Sequence, residues 1–400
     1  WLLARLKPGA VVTVYGPGGM GKSALAAEVV HRLTPADRPP DAFPDGVLYY
    51  SFYGQPETGA ALEQLAKSFD PGARAADARR LLPGRRALVV LDGAEEANDL
   101  RAVLDCLGQC GVLVTTRDRT PNGLPLERLS PEEAASLLQR WAGPMEEATA
   151  AAICQRVGYL PLAVELAGKF IAGGEPAADY LAWLETAPLD ALHRTDARHR
   201  RDSLPLLLEK SLNRAGPEAT AALAVAGLLA LHPFPREAIE AALQGEARRP
   251  LDRLVRYGLL RRERDGLYAL SHPLVHTWAR QQLAPPPEAL PRLADFYAGL
   301  AETEWQKGTA GYPALAAARP HILRLVEACR EAGEWERLDR LVWAIEDYLD
   351  LQGYTTDRVT LLAAGVEAAR RRGDRRNEGA LLGNLGLAYA ALGRVEEAIG

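Results

Sequence analysis

The first third of the chain alternates between short apolar runs and longer stretches in which apolar residues recur at helical spacing. Short β-branched runs bounded by glycine or proline are typical of buried strands, and the stretches between them are typical of amphipathic helices. Strands are predicted near 10–15, 46–53, 87–92, 111–116 and 125–129. This alternation predicts an α/β domain over 1–142, in which a parallel sheet lies between two layers of helices.

Beyond this domain apolar residues recur at helical spacing, except in a predicted hairpin at 259–270. Residues 143–199 are predicted to form a small helical domain that ends in a charged linker at 193–202. Residues 200–286 show helical segments, a short amphipathic helix at 250–257 and a hairpin at 259–270 whose turn is Asp-Gly. Helices followed by a hairpin in this order predict a winged-helix domain.

Glycines recur every 20 residues in the last part of the chain, at positions 333, 353, 373 and 393. Glycine commonly ends a helix, so this spacing predicts paired helices over 287–400. The segment 384–398 resembles the helix pair of a tetratricopeptide repeat (TPR), and an ordinary helical bundle is the alternative. Because the chain starts at Trp1 without methionine and stops within this pair, we expect the natural protein to extend beyond both ends.

One glycine-rich segment, GPGGMGKS at 16–23, lies between a predicted strand and a predicted helix. It matches the phosphate-loop pattern G-x-x-x-x-G-K-[ST], in which backbone N–H groups surround phosphate oxygens. In such loops the lysine, here Lys22, reaches the β- and γ-phosphates, and the following hydroxyl, here of Ser23, binds Mg²⁺. The candidate nucleotide contacts are Gly16, Gly18, Gly19, Met20, Gly21, Lys22, Ser23 and Ala24.

Two further strands lead into candidate catalytic residues. Asp92 ends an apolar strand, the position from which an acid holds Mg²⁺ in phosphate-loop NTPases. Glu95 or Glu96 could polarise an attacking water, but acids are equally typical of the start of a helix, so both interpretations stay open. Arg117 follows the next strand, and ligands bind at the carboxyl ends of parallel strands, so we expect Arg117 near the γ-phosphate.

Composition limits the classes of protein that the chain can represent. Its 400 residues are too many for one core, so two to four domains are expected. The net charge of −5 disfavours wholesale binding to nucleic acid or to an anionic membrane. Four cysteines are too few for a disulfide scaffold, which indicates a reducing cytoplasm. The sequence has no run of 18 apolar residues, so no membrane span is predicted, and no signal peptide is visible.

The motifs GPGGMGKS, LVVLDGAEE and VLVTTRD, in this order and spacing, resemble the NB-ARC branch of the STAND nucleotide-switch ATPases. GYLPLA at 158–163 is similar to the GLPL motif of that family. The resemblance implies that Pro161 packs on the adenine of ATP or ADP. It also implies that His272, in the segment matching the family's Met-His-Asp motif, contacts the β-phosphate of ADP.

The chain departs from the family pattern at two places. Ser271 and Pro273 replace the family's neighbours of the histidine, including an acid that helps to hold the ADP-bound state. Gly93 stands where many members carry a second acid beside Asp92. The resemblance therefore implies slow ATP hydrolysis, unless Glu95 or Glu96 takes over the role of that acid.

The function implied by the resemblance is that of a signalling switch. ADP bound between the nucleotide, helical and winged-helix domains would keep a closed monomer, and exchange for ATP would permit oligomerisation. The repeat domain would bind a protein or small-molecule ligand, and an effector domain would lie outside this chain.

Two other functions remain alternatives. One is a transcription regulator with the NB-ARC and TPR layout, in which DNA is a partner. Residues 200–286 carry an excess of basic side chains, but this excess provides only a modest phosphate-binding energy, so DNA is not the favoured partner. The other is an ATPase that turns over to do mechanical or chemical work. A simple TPR adaptor is disfavoured by the complete phosphate loop.

Overall fold

The computed structural model describes residues 2–34, 38–186 and 204–399 of the chain. The charged linker predicted at 193–202 and the boundary predicted between residues 199 and 200 lie outside these ranges. Within them the chain forms a parallel sheet with helices on both faces, followed by helices that are interrupted by a two-stranded hairpin. The predicted α/β fold with a helical C-terminal region is confirmed.

The sheet of the first domain consists of five parallel strands in the order β2-β3-β4-β1-β5. They are β1 (Val11–Tyr15), β2 (Val47–Ser51), β3 (Leu88–Asp92), β4 (Gly111–Thr116) and β5 (Leu124–Pro125). Strand β4 lies between β1 and β3, and its register pairs Thr116 with Tyr15. The phosphate loop after β1 and Asp92 at the end of β3 therefore flank the end of β4.

The fifth strand is shorter than the predicted 125–129. The amide of Leu126 donates to Tyr15 O at 2.8 Å, but the amide of Leu129 donates to Tyr159 O at 3.2 Å. The chain thus leaves the sheet after Leu126 and hydrogen-bonds to the helical part. The predicted strand is confirmed, and its predicted length is wrong because its backbone donors turn to another domain.

Side chains of the sheet enter two separate cores, one on each face. The first domain and its continuation contain α1 (Leu2–Arg5), α2 (Lys22–Leu33), α3 (Thr58–Lys67), α4 (Ala78–Leu81), α5 (Leu100–Leu104) and α6 (Pro131–Ala142). Val90 and Leu113 pack towards α2, whereas Leu91 and Val112 pack towards α3. Strands β3 and β4 are buried on both faces, as a parallel sheet between helical layers requires.

The helices after the sheet share one apolar core. Helix α6 packs on α7 (Glu147–Arg156) and α8 (Pro161–Ala172), and α9 (Ala177–Thr186) completes this group. Leu138, Ile153 and Phe170, one from each of the first three helices, are fully buried in the core. Met20 of the phosphate loop belongs to the same core. The helical part is therefore packed directly on the phosphate loop.

The next part is a winged helix. It contains α10 (Leu204–Ala215), α11 (Pro217–Leu228), α12 (Arg236–Leu243), α13 (Arg248–Arg256), β6 (Leu260–Arg262), β7 (Tyr268–Leu270) and α14 (Pro273–Gln282). Strands β6 and β7 are antiparallel, and Phe234 adds a bridge to Tyr268. Asp265 and Gly266, in the predicted turn, have φ values of 65° and 78°. These left-handed conformations favour the Asp-Gly sequence found there.

The repeat region is entirely helical over its described residues. It contains α15 (Ala289–Gln306), α16 (Tyr312–Ala332), α17 (Trp335–Leu351), α18 (Thr355–Arg372), α19 (Arg375–Ala391) and α20 (Val395–Ile399). The four periodic glycines each follow a helix, with φ values of 75°, 67°, 71° and 75°. Glycine adopts positive φ without steric cost, so the period of 20 residues marks successive helix ends. Neighbouring helices pack in sequence, which gives the TPR-like array that the spacing predicts.

The repeat array starts on the winged helix. Helix α15 packs on α12, and the buried His321 of α16 is hydrogen-bonded to Pro233 O at 3.0 Å. One apolar core runs from the helical part through the winged helix into α19. The winged helix and the first repeats are therefore packed directly on one another.

The repeat array also contacts the nucleotide domain at α3, through a surface that we call the α3 contact. Lys67 Nζ donates to Gln352 O at 2.7 Å, and the amide of Thr355 donates to Glu63 Oε2 at 3.1 Å. Lys67 also lies 3.3 Å from Glu63 and 3.5 Å from the centre of the Tyr354 ring. The α3 contact therefore joins two charged side chains of one domain to the turn between two repeat helices.

Close packing accompanies these polar interactions. A side-chain carbon added at Gly59 would lie only 2.8 Å from Thr356 Oγ1, so the backbones approach closely there. Arg319 forms an ion pair with Asp357, and its guanidinium carbon lies 4.1 Å from the centre of the Tyr354 ring. The Tyr354 ring thus lies against two cations, an arrangement that stabilises both charges when they are partly desolvated.

Glu63 couples the α3 contact to pH. The pKa of Glu63 is raised to about 7, mainly by burial. The charge of Lys67 opposes this shift, and the charge of Asp357 adds to it. Arg319 and Asp357 on the repeat side, together with Glu63 and Lys67 on α3, are the charged groups that meet here. Since a buried carboxyl with a raised pKa holds its proton longer when folded, its contribution to stability is lost as the pH rises through about 7.

We expect the Glu63→Gln variant to gain stability relative to the wild type as the pH rises from 5 to 8. The unfolded chain releases the Glu63 proton near its ordinary pKa of 4.5, whereas the folded chain retains it to about 7. Glutamine keeps an oxygen for the Thr355 amide and has no proton to lose. The measurement is the difference in apparent Tm between variant and wild type at each pH.

Glu57→Gln, an exposed substitution just before α3, is the matched control and should show a difference that does not vary with pH. The buried histidines contribute equally to all three proteins and cancel in the comparison. A Glu63→Gln difference that stays constant from pH 5 to 8 would contradict the assignment.

Candidate nucleotide-binding site

The phosphate loop begins where β1 ends and stops where α2 begins. Gly19 and Gly21 have φ values of 78° and 87°, a conformation that side chains with a Cβ rarely adopt. The amide of Gly16 donates to Thr116 O at 3.2 Å, which ties the loop to the end of β4. The loop and the N-terminus of α2 thus form the kind of backbone concavity that binds phosphate.

Lys22 points back into this loop. Its Nζ donates to Gly16 O at 2.7 Å and to Pro17 O at 2.9 Å, and the residue is only 6% exposed. Burial lowers the pKa of Lys22, while the charge of Glu95 opposes that shift. Two carbonyl oxygens satisfy a buried ammonium only partly, so the arrangement suits a lysine that would bind phosphate oxygens.

Asp92 is the centre of a polar cluster at the end of β3. Ser23 Oγ donates to Asp92 Oδ1 at 2.7 Å, and Thr115 Oγ1 donates to the same oxygen. Tyr49 OH donates to the other oxygen, Oδ2, at 3.3 Å. Although Tyr49 is 57% exposed, partial desolvation of its hydroxyl and the charge of Asp92 raise the pKa of Tyr49 to about 12, so Tyr49 stays a donor. A magnesium ion would fit here, with the Ser23 hydroxyl as a ligand and Asp92 holding its waters.

The structure separates the two candidate glutamates. Glu95 Oε1 accepts a hydrogen bond from Tyr53 OH at 2.9 Å, and Glu95 Oε2 accepts one from the Arg117 amide at 2.9 Å. Glu96 is exposed to solvent. Only Glu95 therefore faces the cluster around Asp92.

Arg117 directly follows β4, the strand that lies between β1, which leads into the phosphate loop, and β3, which ends in Asp92. Its Nε lies 2.9 Å from Glu95 Oε1, and its guanidinium carbon lies 5.4 Å from the centre of the Tyr53 ring. Nε itself is buried without a directed hydrogen bond to any described residue. Arg117 is thus held by charge and retains a donor that a phosphate oxygen could take.

The helical part covers one side of the phosphate loop. Pro161 is the first residue of α8, and the next amide, of Leu162, donates to Gly19 O at 3.2 Å. A Cβ at Gly19 would lie 3.2 Å from the Cβ of Leu162. Pro161, predicted from the GLPL-like motif, therefore lies beside the loop, and its neighbour Leu162 makes the contact.

The winged helix covers another side. His272 caps α14, and its Nδ1 accepts the Leu274 amide hydrogen at 3.0 Å. Burial, together with the charges of Arg117 and Lys22, lowers the pKa of His272 to about 4. A neutral ring whose Nδ1 accepts carries its proton on Nε2, which makes that nitrogen a donor. Leu274 packs on the loop, since a Cβ at Gly18 would lie 3.1 Å from its Cδ1.

Five contributing residues were not predicted from the sequence: Tyr49, Tyr53, Thr115, Leu162 and Leu274. Thr115 has the most recognisable signal, because it is one of two threonines that end an apolar strand just before Arg117. Leu162 and Leu274 follow predicted residues by one and two positions. The two tyrosines depend on the pairing of β2 with β3, which the sequence pattern does not specify.

Neither a metal cage nor a membrane span occurs in the described ranges. No three His, Cys, Asp or Glu side chains in these ranges converge as metal ligands, so Mg²⁺ would need phosphate oxygens and water to complete its shell. Among the described helices, none combines the length and the apolar character needed to cross a bilayer.

Comparisons with known proteins agree with this geometry. Residues 1–147 match the family described as NB-ARC domain. The chain is 29% identical to Regulatory protein AfsR of Streptomyces coelicolor over 97% of its own length, and 32% identical to Regulatory protein AfsR of Streptomyces griseus over 72%. It spans 44% of the first relative and 32% of the second.

Similar solved structures are more distant. A STAND protein with a tetratricopeptide repeat sensor from Pyrococcus horikoshii is 18% identical, with a TM-score of 0.47, over 99% of this chain and 74% of that one. A Walker-type ATPase of Pyrococcus abyssi is 13% identical, with a TM-score of 0.34, over 68% and 91% of the two chains.

The family match and the phosphate-loop motif cover the same part of the sequence. That part contains β1, the loop, Asp92 and Arg117 in the order and spacing on which the resemblance was based. Over residues 1–147 the chain is therefore similar to the NB-ARC domain family, in the part that carries the phosphate-loop motif.

Proposed function

We propose that the chain is an ATP/ADP-operated signalling switch, closed with ADP and released by ATP. The observation that carries the proposal is the covering of one phosphate loop by two other domains. Leu162 of α8 packs on Gly19, and Leu274 of α14 packs on Gly18. A nucleotide in this loop would therefore be in contact with three domains, and its phosphates would decide how those domains pack.

The charges around the loop support a response to the γ-phosphate. Lys22, Arg117 and neutral His272 are close enough for the two cations to lower the pKa of the histidine. A diphosphate would supply anionic partners for Lys22 and the His272 donor. A γ-phosphate would add charge beside Arg117, which would then exchange its ion pair with Glu95 for one with nucleotide.

The γ-phosphate alone is too weak to open the switch. Moving an equilibrium from 1:99 to 99:1 takes about 5.5 kcal/mol of differential affinity. One charge-assisted contact, such as that of Arg117, contributes about 1.5–3 kcal/mol. The α3 contact would hold the closed form, so a ligand or partner on the repeats would supply the remaining energy by weakening it.

Hydrolysis would be slow and would reset the switch. Water attacks the γ-phosphorus, its proton passes to the Glu95 carboxylate, and the bond from phosphorus to the bridging oxygen breaks with its electrons left on ADP. Ser23 and Asp92 would hold Mg²⁺, which would neutralise part of the charge of the phosphates. In the closed form Glu95 is engaged by Tyr53 and Arg117, which disfavours rapid turnover as the main function.

A transcription regulator that binds DNA is the second candidate. It is favoured by the name Regulatory protein carried by both relatives and by the basic excess of the winged-helix part. Arg253 and Arg262 of that part are, however, paired with Glu218 and Asp252. Binding of the chain to a DNA duplex that weakens steeply with salt would support this candidate, and no binding at low salt would exclude a DNA site within the chain.

We expect the purified wild-type chain to release ADP on denaturation. Lys22→Ala should release at least tenfold less, because the variant loses charge-assisted bonds to phosphate. Chromatography of the denatured supernatant measures the nucleotide per chain. Lys7→Ala, an exposed lysine outside the loop, is the control and should retain ADP. An empty wild-type site would argue strongly against the switch.

We expect Glu95→Gln to abolish multiple-turnover ATP hydrolysis and Glu96→Gln to leave it unchanged. Glu95 faces the Asp92 cluster, whereas Glu96 points to solvent. Phosphate release over many turnovers is the measurement, and equal losses in the two variants would contradict the assignment of the base to Glu95.

We expect the chain to remain mostly monomeric when ADP is replaced by ATP alone. Lys67→Ala combined with Tyr354→Ala should shift the ATP-bound chain towards oligomers, because these substitutions weaken the α3 contact. Multi-angle light scattering reports the mass of each species. Large rings of the wild-type chain with ATP alone would show that the γ-phosphate suffices.

A further inference from the structure

Tyr53 lies where the edge strand of the sheet turns towards α3. It follows β2 by two residues, and the preceding amide, of Phe52, donates to Asp92 O at 2.9 Å. This hydrogen bond fixes the backbone of the segment against the end of β3. The Tyr53 side chain is consequently placed beside the catalytic cluster by the same pairing that places Asp92.

The Tyr53 ring occupies the space beside Gly93. A Cβ added at Gly93 would lie 2.7 Å from Tyr53 Cε2 and 2.8 Å from Cζ, closer than van der Waals contact allows. Gly93 also has a φ of 72°, a conformation that disfavours other residues. An acid at position 93 is therefore incompatible with this ring, and the nearest carboxylate that the backbone can offer is that of Glu95.

The Tyr53 hydroxyl holds that carboxylate. It donates to Glu95 Oε1, the oxygen that also faces Arg117 Nε, while Oε2 accepts the Arg117 amide hydrogen. Burial, with the charge of Glu95 as a further cause, raises the pKa of Tyr53, so the phenol remains protonated and donates. Both oxygens of Glu95 are thus engaged, and donors that bond to the ionised carboxylate make it less basic towards a proton from water.

We propose that Tyr53 is a positioning residue that restrains Glu95, together with Arg117, and so suppresses hydrolysis in the closed form. The inference rests on the proposed function, in which Glu95 accepts the proton of the attacking water. When a γ-phosphate attracts Arg117, the Tyr53 bond remains and continues to limit the basicity of Glu95. The Tyr53 ring thus excludes an acidic side chain at position 93, which leaves Glu95 as the nearest carboxylate. The Tyr53 hydroxyl then restrains the Glu95 side chain.

Tyr53→Phe tests the restraint directly. Phenylalanine keeps the ring against Gly93 and removes only the hydroxyl that reaches Glu95. We expect kcat for ATP hydrolysis to rise by roughly tenfold, the effect of losing one hydrogen bond to a charged group. The acid limb of the kcat profile should also move to higher pH, because the ionised base loses a donor. KM should change little, since Tyr53 makes no hydrogen bond to the phosphate loop.

The control is Tyr50→Phe, which removes another buried hydroxyl of the same segment, one bonded to Gln55 O and not to Glu95. It should leave kcat and the pH profile unchanged. Tyr53→Phe/Glu95→Gln should lose the gain in rate, and Tyr53→Leu, which also lacks the hydroxyl, replaces Tyr53→Phe if that variant is unstable.

An unchanged or lower kcat in folded Tyr53→Phe overturns the restraint. A rise in kcat without a shift of the acid limb also overturns it, because the gain would then arise elsewhere. Nucleotide content separates the two proposals: if the wild-type chain binds ATP and the variant is not faster, only this inference fails. If the wild-type chain binds no nucleotide, the switch fails and this inference fails with it.

Discussion

The phosphate loop is rich in glycine and has few side chains to shield its own backbone. Side chains of other domains therefore pack on it, and the arrangement of the domains depends on this packing. Gly18 and Gly19 leave the backbone open to phosphate, but the same absence of side chains leaves it open to other domains. Leu162 and Leu274 enter that space from α8 and α14. The small residues therefore serve two purposes, because they admit the nucleotide and they allow the helical part and the winged helix to close over it.

The α3 contact also joins the nucleotide domain to a later part of the chain, and one short segment connects this contact to the cluster around Asp92. Tyr53 stands at the start of this segment, beside Glu95, and Glu63 lies within the helix at its end. Both ends of this segment are anchored by hydrogen bonds to other elements. If the repeats displaced α3, we would therefore expect Tyr53 to move as well. The repeat array and the surroundings of Glu95 are thus connected through about one helix of chain.

Features that depend on local sequence were predictable, and features that depend on which strands and domains meet were not. The phosphate loop, Asp92 and the periodic glycines are visible because each needs a particular residue type at a fixed spacing. Which of Glu95 and Glu96 lies against Arg117 was not predictable, because the contact of Glu95 with Tyr53 depends on the neighbouring strand. The α3 contact joins residues nearly 300 positions apart, and nothing in the local pattern of Glu63 or Lys67 distinguishes them from surface charges.

The α3 contact engages the turn between α17 and α18 and the start of α18, and the following helix, α19, packs mainly on its sequence neighbours α18 and α20. In a solenoid, units that touch only adjacent units can be added, lost or exchanged with little effect on distant ones. If the repeats bind a ligand as proposed, substitutions confined to helices beyond α18 would change which ligand is recognised and would leave the α3 contact unchanged.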